Sequence, residues 1–284
     1  MALLKLDRWN LAFGDGQPLV VIAGLNVLED LGLALDVGRH LKAVTAELGL
    51  PYVFKASFDK ANRSSIFSYR GPGLEKGLEI LRTVKAELDV PICTDLHKID
   101  QAGPVAAVAD LVQIPAFLCR QTDFVIAAAK ATKEAGGLLH VKKGQFLAPW
   151  DCRSILDKIK EAVGVDMTML CERGVSFGYN NLVVDMLAIP QMQELGCPVT
   201  IDATHAVQLP GAQAGSNGVS TGGRRSGVPV IAKAAVAVGA DGVFLEFHPE
   251  PDKALCDGPS ALPLDAAAGL LGQLKALRAA VQAA

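Results

Sequence analysis

The stretch PYVFKASFDKANRSS (residues 51–65) begins apolar and ends in Lys55, Lys60 and Arg63, interleaved with Ser57, Asn62, Ser64 and Ser65. A short apolar run followed by turn-forming residues reads as a buried β-strand, here one that delivers cations at its C-terminal end. The same shape recurs along the chain: LVVIAGLN (19–26), YVFKASF (52–58), PICTDLH (91–97), LVQIPAF (111–117), LLHVKKG (138–144), MTMLCERG (167–174), PVTIDATH (198–205) and GVFLEFHP (242–249). Segments with helical spacing of Leu, Ala and Val separate these runs, which argues for parallel βα units with both sheet faces covered. The strand ends choose between an open and a closed sheet. They carry Asn26, Lys55, Asp95 and His97, Gln113, Lys142, Arg173, His205 and Glu246. In an open eight-stranded sheet, with strands about 4.8 Å apart, the outermost of these groups would stand more than about 30 Å from each other. In a (β/α)8 barrel all eight ends face one mouth, where active sites of this fold sit. The expectation is therefore a single-domain α/β (β/α)8 TIM barrel over residues 18–284, with KLDRWNLAF inside a short N-terminal hairpin at 1–17.

Composition narrows the function. Of 284 residues, 50% are hydrophobic and 20% charged, with a formal net charge of −3. Nothing in that balance suggests a nucleic-acid binder, and a local cluster of Lys and Arg favours a small anionic ligand over a polyanion. The six cysteines (93, 119, 152, 171, 197 and 256) form no CxxC pair and read as reduced thiols of a cytoplasmic protein. Asp7 and Arg8 stand where a signal peptide needs an apolar core, and the two longest apolar stretches are broken by Asp110, and by Lys233 and Asp241. No membrane partner is expected.

Three features carry chemistry. The first is a set of cations at the expected mouth: Lys55, Lys60, Arg63, Arg120, Lys142 and Arg173, with Arg224 and Arg225 in a Gly-rich loop. Any one of them alone could be a solvated loop edge. Lys55, Lys142 and Arg173, however, directly follow apolar strand residues, and buried cations are costly without an anion. Too few acids lie nearby in sequence to neutralise them all, so two anionic substrates are expected. Lys55 also admits a Schiff-base reading, which the crowding of cations favours less than anion binding. The second feature gathers His205, Glu246, His248 and Asp257 with Asp95 and His97. These are either donors to a divalent metal or counter-ions and acid–base groups. The third is PGAQAGSNGVSTGGRR (210–225), a segment without hydrophobic period that reads as a lid over the mouth or a surface loop.

Taken together, KASFDKANRSS, SYRGPG, IPAFLCRQTD, VKKGQF, CERGVSFGYNNLVVDM and CDGPSALP resemble the 3-deoxy-D-manno-octulosonate 8-phosphate synthase family, over about residues 18–265. The resemblance implies a barrel that assembles into a homo-oligomer, usually a tetramer. It also implies condensation of phosphoenolpyruvate with arabinose 5-phosphate and water, for the inner sugar of lipopolysaccharide. On this resemblance Lys55, Ser57, Lys60, Gln113, Lys142 and Arg173 hold phosphoenolpyruvate. Asn62, Arg63, Ser64 and Asp95 face arabinose 5-phosphate, and Arg120 reaches its phosphate from a neighbouring subunit. Asn26, His205, Glu246 and Asp257 form the candidate catalytic group, with His205 and Asp257 for proton handling and water placement. One branch of the family carries a Cys on the first strand and binds a divalent metal with a His, a Glu and an Asp; the other carries Asn and needs none. Asn26 implies the second branch and no cofactor, with a divalent metal as the alternative. The nearest rival is a 3-deoxyheptulosonate 7-phosphate synthase using erythrose 4-phosphate, against which ANRSS stands. A rival of another class is a catalytically silent phosphosugar-binding barrel.

Overall fold

The structure is a computed structural model describing residues 3–14, 16–212 and 221–283. Two short strands come first, β1 (Leu4–Leu6) and β2 (Leu11–Phe13), paired as an antiparallel hairpin. Six barrel strands follow: β3 (Val20–Val27), β4 (Tyr52–Ser57), β5 (Ile92–Asp95), β6 (Leu111–Ile114), β7 (Leu138–Lys142) and β8 (Thr168–Glu172). A small hairpin of β9 (Val175–Ser176) and β10 (Leu182–Val183) precedes β11 (Val199–Asp202), which resumes the barrel. Next, β12 (Gln208–Leu209) pairs with β13 (Gly222–Gly223), β14 (Gly242–His248) is the eighth barrel strand, and β15 (Leu262–Pro263) extends its end. All barrel neighbours pair in parallel, and β14 closes the ring by pairing with both β11 and β3.

The helices of the barrel units are α1 (Leu31–Leu48), α2 (Leu74–Leu88), α3 (Ala102–Ala106), α4 (Thr122–Glu134), α5 (Arg153–Val163), α6 (Ala188–Gln193), a single turn α7 (Ala203–Ala206), α8 (Val228–Ala237) and α9 (Ala267–Gln282). Their limits have local causes. In α1 the Asp30 carboxylate accepts the Leu33 N–H at 2.9 Å and Gly49, at φ 64°, ends the helix in the left-handed conformation. The same helix buries Val37, Leu41 and Val44 at helical spacing.

Every residue of β3 and β14 is buried, as doubly covered parallel strands require. Phe54, Phe244 and Phe247 are almost completely enclosed, each worth roughly 2–3 kcal/mol of burial. Gly24 is needed where β3 crowds β4, because a Cβ there would collide with the Lys55 carbonyl. The expected strands all form, but seven of them stop one to three residues before their runs end. β5, β6 and β11 end at Asp95, Ile114 and Asp202, because the mouth loops begin there; Asp202 already caps α7 by accepting the His205 N–H at 2.9 Å.

The β1–β2 hairpin lies against the N-terminal ends of the strands, the floor of the barrel. Leu4, Leu6, Leu11 and Phe13 join the main core. Trp9 Nε1 donates to Asp110 at 2.8 Å, Lys85 pairs with the same carboxylate at 2.8 Å, and the Ile92 N–H donates to it at 2.9 Å. Among the described residues no helix is long and apolar enough to cross a membrane. All six cysteines are buried and unpaired.

Candidate active site

The barrel mouth holds a cavity of about 360 Å³, the scale of a small-molecule site. Lys55, Lys60, Asn62, Asp95, Gln113, Lys142, Arg173 and His205 line it, each from the end of a barrel strand or the loop that follows. The eight expected cations do not all converge. Arg63 lies beside the cavity, donating to Cys256 Sγ at 2.7 Å and paired with Asp257 at 3.5 Å. Ser64 is exposed on the same loop. Arg120 is exposed and donates to Ser154 at 2.9 Å, outside its own cavity. Arg224 is spent on the Leu182 carbonyl, and Arg225 on Asp252 and the Gly258 carbonyl.

Acids inside the site neutralise only part of the charge. Lys55 Nζ pairs with Glu246 at 3.2 Å and donates to Ser57 Oγ at 2.9 Å. Burial pulls its pKa down, but attraction to Glu246 and Asp95 prevails and raises it to about 12. Lys142 pairs with Asp202 and sits 3.2 Å from the centroid of the Phe244 ring, a cation–π contact. Among the described residues neither Lys60 nor Arg173 has an ion-pair partner, although both are buried. Burial and the neighbouring Lys55 charge lower the Lys60 pKa, and burial lowers that of Arg173. Arg173 Nη2 donates to Gln208 at 3.2 Å while Nη1 has no partner among the described residues. An unpaired buried charge costs several kcal/mol, so these two cations hold the cavity ready for an anion. Gln113 Oε1 is likewise buried without a partner among the described residues.

Beside the cavity, Asn26, His205, Glu246 and Asp257 meet. Asn26 Nδ2 lies 2.5 Å from Glu246 Oε2, 3.3 Å from Asp257 Oδ2 and 3.4 Å from His205 Nε2. Both carboxylates accept, which requires the amide nitrogen to face them. Burial raises the Glu246 pKa, but His205, Lys55 and Lys60 outweigh it and hold the group at about 2. The N–H bonds of Asn26 thus fill the point on which Glu246, Asp257 and His205 converge, and an amide nitrogen has no lone pair to offer. His248 does not join the group; it faces Glu29 at 3.6 Å and accepts the Glu250 N–H. Asp95 and His97 pair with each other at 3.0 Å instead.

Two residues at this site escaped the sequence reading. Asp202 accepts His205 Nδ1–H at 2.8 Å and also pairs with Lys142. Burial raises its pKa, but His205, Lys142 and Arg173 more than compensate, and it stays ionised. It therefore keeps the His205 proton on Nδ1 and turns Nε2 toward Asn26. An acid ending a strand three residues before a His was the available signal. Gln208 donates to Asp257 at 3.0 Å and accepts from Arg173; nothing in its sequence context marked it. Of the segment 210–225, residues 213–220 lie outside the described residues.

A profile of the DAHP synthetase I family matches residues 4–283. The chain belongs to that family. Its curated relatives include proteins named 2-dehydro-3-deoxyphosphooctonate aldolase from Desulfosudis oleivorans and Cupriavidus necator. Each is 54% identical over 95% of this chain; the matches cover 94% and 93% of the relatives. A third protein of that name, from Desulfotalea psychrophila, is 52% identical over 99% of this chain and 98% of its own length. In this DAHP synthetase I family member Lys55, Lys60, Lys142 and Arg173 are the cations that line the cavity at the C-terminal mouth. Large apolar side chains are exposed on the loops after β6, β7 and β8: Phe117, Phe146, Trp150 and Phe177.

Proposed function

We propose that this chain condenses phosphoenolpyruvate with arabinose 5-phosphate and water, giving 3-deoxy-D-manno-octulosonate 8-phosphate and phosphate for the inner sugar of lipopolysaccharide. The name 2-dehydro-3-deoxyphosphooctonate aldolase, carried by relatives at 52–54% identity, supports the reaction. The unpaired buried cations Lys60 and Arg173 are the observation in the site that carries it. Lys55, Ser57, Lys60, Gln113, Lys142 and Arg173 hold phosphoenolpyruvate. Asn62, Arg63, Ser64 and Asp95 face the sugar phosphate.

Holding both substrates in one cavity removes much of the entropic barrier. Carbon 3 of phosphoenolpyruvate attacks the aldehyde carbon, whose oxygen takes a proton. Water adds at carbon 2 and gives up a proton, and phosphate then leaves with C–O cleavage. Lys142 and Arg173 stabilise the anionic charge through these steps. His205, with Nε2 free of the Asp202 bond, and Asp257 handle the protons. The Asn26 amide takes the place a metal occupies in the other branch, and the reaction proceeds without one.

The enzyme works in the cytoplasm as a homo-oligomer, a tetramer by the resemblance. Arg120 completes a neighbour's site; its position outside its own cavity and the exposed aromatic residues on the mouth loops support this. Mixing inactive Arg120→Ala subunits with inactive Lys142→Ala subunits should restore activity, because some hybrid sites receive both residues. Confirmed hybrids without recovery would refute the shared site.

Phosphate release on mixing phosphoenolpyruvate with four- and five-carbon aldose phosphates tests the function. Arabinose 5-phosphate should give the higher kcat/KM. A preference for erythrose 4-phosphate would move the chain to the heptulosonate reaction, and binding without release would mark a silent binder. Arg63→Ala should weaken sugar-phosphate binding by roughly 2–4 kcal/mol.

A further inference from the structure

Lys142 ends β7 and Lys143 follows it, and the two part company. Lys142 turns into the barrel, while Lys143 turns away from the cavity and is 0% exposed. Its ammonium lies 3.5 Å from Glu172 Oε2 and donates to the Leu147 carbonyl at 3.3 Å. Glu172 ends the next strand, β8, and is 1% exposed. Its other oxygen, Oε1, accepts the N–H groups of Arg173 at 3.0 Å and Gly174 at 2.6 Å. The chain turns sharply there, with Gly174 at φ 86°. The Arg173 backbone is thus fixed by a carboxylate that a second strand supplies with its counter-ion. From that anchor the guanidinium reaches the cavity, with Nη1 unpartnered among the described residues.

Stability alone does not account for this pair. A buried ion pair is commonly no better than two apolar side chains of the same volume. Apolar replacements, however, would leave the Arg173 and Gly174 N–H groups without an acceptor at the point where the loop leaves the strand. An acceptor is required at position 172, and a buried charged acceptor requires Lys143.

We propose that Lys143 and Glu172 form a positioning pair that aims Arg173 at the phosphoenolpyruvate anion, a role that rests on the condensation proposed above. The decisive comparison is between two charge-free double variants. Lys143→Met with Glu172→Gln keeps a carbonyl oxygen on the two N–H groups. Lys143→Met with Glu172→Met removes it. At similar Tm, the Gln variant should show a KM for phosphoenolpyruvate within about threefold of wild type. The Met variant should show one raised at least tenfold, with the KM for arabinose 5-phosphate changed less than twofold in both. Equal KM values for phosphoenolpyruvate in the two variants, or a rise shared by both substrates, would overturn the proposal. Should the double Met variant fail to fold, Lys143→Met with Glu172→Ala, which removes the acceptor with less bulk, takes its place and should show the same tenfold rise. Calorimetric binding of phosphoenolpyruvate to the same proteins separates the two claims. Wild-type protein that binds phosphoenolpyruvate but releases no phosphate with any aldose phosphate refutes the condensation, and the Kd comparison then still decides the pair. Wild-type protein that does not bind phosphoenolpyruvate refutes the pair as well.

Discussion

The two ends of the barrel hold their charges differently. At the floor, Asp110 finds every partner in the protein: the Trp9 indole, the Lys85 ammonium and the Ile92 N–H. At the mouth, Asp202 shares its carboxylate between Lys142 and His205, both of which face the cavity, while Lys60 and Arg173 have no acid of their own among the described residues. Asp110 is satisfied within the protein, whereas Lys60 and Arg173 are the groups the proposed anion would complete. Charge at one end therefore serves stability and at the other serves chemistry, as the barrel's geometry leads one to expect.

The contrast is broken or sharpened most strongly by paired substitutions. Arg173→Ala should lower kcat/KM for phosphoenolpyruvate by about 10²–10³-fold without lowering Tm, since it removes a charge that had no ion-pair partner. Asp110→Ala should cost about 3–5 kcal/mol of stability and leave kcat of the folded fraction within about twofold. A folded Asp110→Ala protein with crippled turnover, or an Arg173→Ala protein that unfolds, would erase the distinction. Next in size is Asp202→Asn, which keeps an oxygen for the His205 N–H but loses the acceptor for Nδ1–H. It should lower kcat about 10²-fold, and nitrogen NMR should show the His205 proton moving from Nδ1 to Nε2. An unchanged tautomer would show that Asp202 does not set it.

Acid should destabilise the fold through groups buried inside the barrel. Deep in the barrel, beneath Lys142, lies His140, bonded to Thr200 at 2.8 Å and facing Lys142, Asp202 and Lys55; burial first and Lys142 second lower its pKa to about 3. The unfolded chain takes up this proton near pH 6.5 and the folded one only near 3, so stability falls as pH drops through that window. Glu246, held at about 2 against an ordinary 4.5, adds a further loss between those values. Denaturant unfolding at pH 6.5 and 5 should differ by on the order of 2 kcal/mol from His140 alone, and His140→Gln should remove that part. A pH-independent midpoint would contradict the depressed His140. The smallest expected effect is none: EDTA or dipicolinate should leave activity unchanged, whereas Asn26→Cys should retain zinc or manganese through purification, by elemental analysis. Loss of wild-type activity with chelator, regained with metal, would overturn the Asn26 reading.

Most of this contrast is legible in the sequence, because eight apolar runs with polar ends leave few topologies open. Lys55, Lys142 and Arg173 could be named because each interrupts an apolar pattern. Residues whose role depends on direction could not. Adjacent Lys142 and Lys143 look alike as letters, yet strand geometry sends one into the cavity and the other to Glu172. Arg63, Arg120, Arg224 and Arg225 read as one cluster with the lysines, but loop paths carry each to a different partner. Gln208 was invisible, since a neutral amide becomes informative only once Arg173 and Asp257 are seen on either side of it.

The chain has two tryptophans, and the fold puts one at each end. Trp9 is partly buried at the floor, bonded to Asp110, with Arg8 and Lys85 within 5.2 and 5.7 Å of its ring. Trp150, on the loop after β7, is 62% exposed at the mouth. In optical terms the protein carries two separate gauges: a water-facing indole that emits at longer wavelength and is open to iodide, and a shielded one that is not. Substrate binding should alter the first and leave the second unmoved until the floor itself gives way.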